Sequence, residues 1–307
     1  MIVPKELHIG RMLNYIGQPL YMLIAWDIGI VLAYNLLGWK WIGFSQIPLG
    51  LYGSVIGIVV GFRNNSAYAR WWEGRTLWGS IVNNSRSIGR QISTMIDAAR
   101  NAAPADSSAA GELRRRLVYH QIAWVHALRQ QLRGLDPLGE LASVLTPAEI
   151  EALRGAPNVP VAIQLRIAGM LREARDHNWI NAQEWQSMDQ SLNDLADAQG
   201  GSERIKNTPL PKQYDFFPMV FVRAYCILLP CGMVEQLGWY TPLGSTLVGF
   251  MFLALEKIGR DLEDPFDNTI FDVPLSSISR TIEINLMHML GESSLPEPVK
   301  PVHGVLW

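Results

Sequence analysis

The chain has 307 residues, 49% of them hydrophobic and 18% charged, with a formal net charge of -2. A charged share this far below the usual quarter argues against disorder, collagen and coiled coil, and the lack of any basic excess removes the electrostatic reason to expect nucleic acid. The apolar residues are concentrated in windows 20–37, 41–62, 216–234 and 237–255, which hold only two charges, Asp27 and Arg223. The chain therefore reads as part membrane, part globular.

The N-terminus, MIVPKELHIGRMLNYIG, has no basic start running straight into an apolar stretch and a small-residue cleavage site. It does not read as a cleaved leader, so the first window is expected to stay as an anchor. At a rise of about 1.5 Å per residue the windows match a hydrocarbon core of about 30 Å, which predicts four transmembrane helices. Connectors at 38–40 and 235–236 are short enough to make helices one and two, and three and four, hairpins, with Trp39, Trp41 and Trp239 at the turns, where amphipathic rings favour the interface. The alternative is four buried helices of a soluble protein. Of the Lys and Arg residues the outer turns hold Lys40 alone, so the positive-inside rule puts both termini and the middle segment in the cytoplasm. Four regions follow: 1–62 with the first hairpin, 63–213 as a cytosolic helical region, 214–257 as the second hairpin, and 258–307 as a cytosolic C-terminal segment.

Between the hairpins the periodicity is helical. In LRRRLVYHQIAWVHALRQQL, Leu117, Ile122, Val125, Leu128 and Leu132 recur on one side, with Arg114, Arg115, Arg129 and Arg133 elsewhere. Further helices are predicted over 75–101, 147–154, 159–176 and 183–199, broken by AAPADSSAAG and GAPNVPV. No strand-like alternation is evident, so the fold class is all-α, a cytosolic bundle continuous with the membrane helices. The proline-rich tail SSLPEPVKPVHGVLW should be extended or disordered.

Catalytic chemistry is not evident. The histidines, at 8, 120, 126, 177, 288 and 303, give no i, i+4 pair for a metal, so no metal site or cofactor is expected. The chain has no phosphate loop, dinucleotide fingerprint or nucleophile elbow. The NNS triplets at 64–66 and 83–85 fit a glycosylation sequon by coincidence on a cytoplasmic face. Cys226 and Cys231 read as small hydrophobes. Asp27 and Arg223 fall at similar depth in helices one and three; they form either a structural pair or part of an ion path.

The second window is the most informative. In LGLYGSVIGIVVGF, Gly53, Gly57 and Gly61 recur every four residues as overlapping GxxxG units, a smooth face that lets another backbone approach. About 100° round the helix, Ser54, Ile58 and Phe62 form a second stripe. A helix ringed by its own copies would make Ile58 and Phe62 into apolar collars, which gate ions by dewetting; the same stripe would equally suit a lipid-facing or core role. The helix then continues into RNNSAYARWWEGRTLW without a Pro or Gly stop.

GFRNNSAYARWWEGRTLWGSIVNNSRSIGRQ resembles the signature of the bacterial branch of the bestrophin family. GGSERIKNTPLP, LEDPFDN, DVPL and the IEINL helix agree with it. The resemblance implies a homopentameric channel with one central pore, in a bacterial inner membrane. Its neck residues lie 16, 12 and 8 positions before the arginine of RWW, here Arg70, which gives Ser54, Ile58 and Phe62. Ser54 departs from the apolar residue usual there. The cytosolic aperture falls near Gln183, with Ile180 as the other candidate. Eukaryotic relatives bind calcium through an acidic run after the PF motif; with only Asp264, Asp267 and Asp272 here, capping and solvated-loop roles are favoured and calcium activation is not carried over. The expected partners are other copies of the chain, the bilayer and small monovalent ions, chloride or a cation. A secondary transporter coupled through Asp27, and a membrane scaffold without ion flux, are the rival readings.

Overall fold

The computed structural model describes residues 15–44, 46, 48–97 and 104–307, with backbone alone for 104–106. The readings for the N-terminal leader, His8 and the helix end at 98–101 lie outside the described residues. Nine helices are described: α1 (Gln18–Asn35), α2 (Leu49–Met95), α3 (Pro104–Leu132), α4 (Pro147–Glu151), α5 (Val159–Asp176), α6 (Ala182–Asn207), α7 (Lys212–Leu237), α8 (Thr241–Glu263) and α9 (Leu275–Met289). Among the described residues the fold is all-helical apart from an isolated bridge between Val302 and Val305.

Contacts divide the described residues into two compact units, one of 15–71 with 209–264, the other of 72–208 with 265–307. Both predicted hairpins thus belong to one unit, and the C-terminal segment belongs with the middle of the chain. In the first unit α7 and α8 form a tight hairpin through a short 3-10 turn, Gly238–Tyr240. Gly238 ends α7 at φ 52°, a left-handed conformation that glycine adopts without a Cβ clash. The run Lys212–Glu263 is the one stretch of the described residues that is long and apolar enough to cross a membrane by itself.

The first hairpin differs from expectation. Its connector is 36–48 rather than three residues. The second window is helical only from Leu49, because a 3-10 turn at Lys40–Ile42 buries Ile42 against Ile30, Val31, Cys231 and Val234, and the Phe44 amide then donates to the Cys231 carbonyl at 2.9 Å. A second cluster joins Ile16, Leu20 and Leu23 of the α1 side to Val60, Val222, Cys226 and Leu253. Gly249 makes this possible, since a Cβ there would strike Leu23.

In the other unit α3 is central. Every residue from Gln121 to Gln130 is buried, so this helix is not the amphipathic one its apolar spacing suggests. Ile122, Leu128 and Leu132 are in the core as expected, but Arg129 is also only 5% exposed. Buried polar groups are expensive unless bonded. Gln121 donates to Ser85 at 3.1 Å, Trp124 donates to Gln199 at 3.1 Å, and Arg129 pairs with Glu140. α3 also starts earlier than expected: Pro104 opens the helix, where its missing N–H costs nothing, and most of AAPADSSAAG is helical. GAPNVPV does break the chain, with Asn158 capping α5. Within the tail 292–301 has no regular structure, but the Val302–Val305 turn is ordered and the Ser277 amide donates to the Trp307 carbonyl at 2.7 Å.

Candidate functional site: the exposed face of helix α2

In its first-unit portion α2 buries Gly53, Val60, Arg63 and Ala67. The opposite side carries Ser54, Ile58 and Phe62, and Ile58 and Phe62 are 60% and 69% exposed. Among the described residues nothing covers these two large apolar side chains, which sit one helical turn apart. The Ser54 hydroxyl donates to the Gly50 carbonyl at 2.8 Å, which turns it back onto its own helix. The glycine face behaves unevenly. A Cβ on Gly53 would meet Tyr225 Oη at 2.6 Å, whereas Gly57 and Gly61 look onto open space; only the first glycine is used within the subunit.

The polar continuation of α2 anchors the helix. Arg63, 1% exposed, donates to the Glu256 carbonyl at 2.8 Å, pairs with Asp215, and lies 3.6 Å from Glu263. Asn64 donates to the Leu255 carbonyl at 2.8 Å and Arg70 to the Glu263 carbonyl at 2.7 Å. Three side chains of α2 thus hold the C-terminal half of α8, and Arg70 meets the free carbonyl of its last residue, where the helix dipole favours a cation. Gly259 permits the approach, because a Cβ there would strike Asn64 and come within 2.8 Å of Arg63 Nη1.

The second unit repeats the pattern. Glu73 pairs with Arg204, Gly74 lies under Phe266, and Gly201 sits against Leu77, each too close for a Cβ without displacement. Asp267 pairs with Lys206, and Asp272 accepts from the Thr269 amide at 3.1 Å, so both aspartates that follow the PF motif are engaged in ion-pair and turn bonds. Among the described residues no group of three His, Cys, Asp or Glu is placed to hold a metal. His126 lies 3.1 Å from Glu283. Burial alone would raise the Glu283 carboxyl, but the His126 bond and the nearby Arg280 and Arg129 charges bring it below its ordinary range.

The expected pair of intramembrane charges is not formed. Asp27, fully buried, accepts from Ser245 at 2.9 Å and Thr246 at 2.8 Å, both on α8. Arg223 instead lines a separate cleft against α1. α1 turns Asp27 toward α8 and its Met22–Trp26 side toward α7, so one helix cannot offer both faces to one partner. Gln183 is exposed in the first turn of α6, behind the Asn181–Glu184 capping box. Ile180 is 3% exposed, buried in its own subunit, and is not available to line an aperture.

Residues 6–288 match a family model described as bacterial/fungal bestrophin protein. The chain belongs to the bestrophin family. A voltage-dependent anion channel-forming protein of Ralstonia nicotianae is 34% identical over 304 residues, covering 96% of both chains. The similarly named YneE of Escherichia coli is 32% identical over 295 residues, 95% of this chain and 92% of that one. Among solved structures, a bacterial bestrophin homologue from Klebsiella pneumoniae superposes with a TM-score of 0.80 at 30% identity, covering 90% of this chain and 98% of that one. As a bestrophin, the chain is a membrane channel protein and not an enzyme. The clamp residues Arg63, Asn64 and Arg70 lie within the motif that carries the resemblance, yet their bonding role was missed; their place just past an apolar run was the available signal.

Proposed function

We propose that this bestrophin is a passive channel for small monovalent ions, in which five copies arrange the 54, 58, 62 side of α2 around a shared axial pore. The observation that carries the reading is the exposure of Ile58 and Phe62. Large apolar side chains left uncovered on a packed subunit mark a surface completed by something else. Rings of them would form a narrow dry neck, with Ser54 at its outer lip and Gln183 near the cytosolic aperture. Gly57 and Gly61, open in the single chain, would let a neighbouring helix come close. The four-span topology, in a bacterial inner membrane with cytoplasmic termini, is supported by exposed Trp39, Trp41, Trp239 and Tyr240 at the two outer turns and by exposed Leu243, Leu247 and Met251 along α8. Conduction needs no cofactor.

The names of the relatives favour anions. The test is purified protein in a planar bilayer under a salt gradient. The reversal potential should move toward the chloride equilibrium potential, and Phe62→Ala or Ile58→Ala should raise the current several-fold. A shift toward the cation potential replaces the sign and keeps the pore, whereas unchanged conductance in both variants removes the neck.

A further inference from the structure

We propose that the cleft between α1 and α7 binds an anionic phospholipid, with Arg223 holding the headgroup phosphate. The cleft has a volume of about 470 Å³, and Gln18, Met22, Trp26, Arg223, Ile227 and Leu253 are among its lining residues. Among the described residues that line it none is acidic, so the exposed Arg223 guanidinium faces a wall that is apolar apart from Gln18. A cation in a membrane-spanning segment is costly unless it reaches a partner or the interface. Arg223 lies seven residues past the start of the apolar window 216–234, about 10 Å along the helix. A long arginine at that depth extends its head to the level of lipid phosphates.

The walls suit a lipid better than a free anion. Trp26 donates its indole N–H to the Ile227 carbonyl at 3.0 Å, fixing the ring as a rigid side of the cleft. Met22 and Ile227 are 61% and 54% exposed, which leaves an apolar track for an acyl chain beneath the charge. Gln18, at the start of α1, adds an amide donor at the mouth. Arginine is the side chain best matched to a phosphate, since its fork can bond two oxygens at once.

This inference rests on the bilayer placement of α1 and α7 in the proposed function, and the test separates the two. Membranes containing the chain are first washed with alkaline carbonate: release into the wash overturns the bilayer placement and the lipid with it. Retained protein is extracted in detergent, titrated with phosphatidylglycerol and read by native mass spectrometry against Arg223→Gln. A single interfacial cation contributes roughly 1 kcal/mol, so the variant should bind about fivefold more weakly, while phosphatidylcholine should not distinguish the two proteins. Equal phosphatidylglycerol binding by both proteins refutes the assignment. So does displacement of the lipid by millimolar inorganic phosphate, which marks a free-anion site, and so does a monomeric Arg223→Gln variant, which marks the cleft as a contact between subunits.

Discussion

Replacing Arg63 by alanine removes a guanidinium that is 1% exposed and that holds Asp215, Glu263 and the Glu256 carbonyl together. What remains is two carboxylates facing one another, Asp215 and Glu263, without the cation between them. Removing one partner of a buried pair costs about 3–5 kcal/mol. Asp215 is 42% exposed and recovers some hydration, which places this site at the low end, about 3 kcal/mol. For units of this size a kilocalorie moves the midpoint by about 2–4 °C, so Arg63→Ala should melt about 6–12 °C lower. The measurement is a thermal scan of detergent-purified protein at one fixed rate, because unfolding of a multi-unit membrane protein is rate-dependent. Arg172→Gln, on a side chain 80% exposed, is the control. Gly259→Ala should reproduce part of the loss, since its methyl pushes Asn64 and Arg63 off their carbonyls. A midpoint for Arg63→Ala within about 2 °C of the control, well inside the shift a buried ion pair commands, would refute the clamp.

Other outcomes follow from the same structure. Gly57→Leu meets open space within the subunit, so the chain should fold normally while the oligomer seen by size-exclusion chromatography falls apart; an intact oligomer would remove Gly57 from the interface. Asp27→Asn should leave ion flux intact in proteoliposomes, as Asp27 is sealed against Ser245 and Thr246; loss of flux with unchanged folding would favour the coupled-transporter reading. Burial holds the His120 imidazole below its ordinary value, against the Arg116 carbonyl bond and the charge of Glu149, with the Arg116 and Arg166 guanidinium charges acting in the same sense as burial. A depressed folded value means the unfolded chain takes up the proton first, so stability is full above about pH 6.5 and declines as pH falls below it. His120→Gln should flatten the melting temperature between pH 7.5 and pH 5.5, to about half the wild-type slope or less if this group dominates that window; an unchanged slope would assign it elsewhere.

Much of the architecture is legible from period and punctuation. The α7–α8 hairpin, the helix at 159–176, and the unbroken passage of α2 from apolar to polar sequence all follow from local rules. The misses share a cause. Residues 41–48 are apolar enough for a span, but Pro48 and the packing of Ile42 against α7 delay the helix to Leu49. Leu117 to Leu132 reads as amphipathic because arginine counts as surface, whereas Glu140, in the segment that folds back just after α3, takes Arg129 into the core. The partner of Asp27 was unreadable for the same reason: Ser245 and Thr246 are ordinary residues until α8 is laid on α1. Local preference locates elements, and tertiary pairing decides which polar residues are spent inside. The 54, 58, 62 stripe is legible from spacing and its proposed neck role rests on the resemblance, while Gln183 rests on alignment and is placed by the fold only as exposed.

The signature stretch of α2 supplies bolts: Arg63, Asn64 and Arg70 are committed to α8 carbonyls, and Glu73, Gly74 and Leu77 to Arg204, Phe266 and Gly201. Ile58 and Phe62, more than half exposed on the turns just before them, take no part in those bonds and can change without loosening the frame. Homologues with the same fingerprint are therefore free to differ in which electrolyte they pass, and a label handed along on the strength of that fingerprint transmits the scaffold, leaving the cargo to be measured protein by protein.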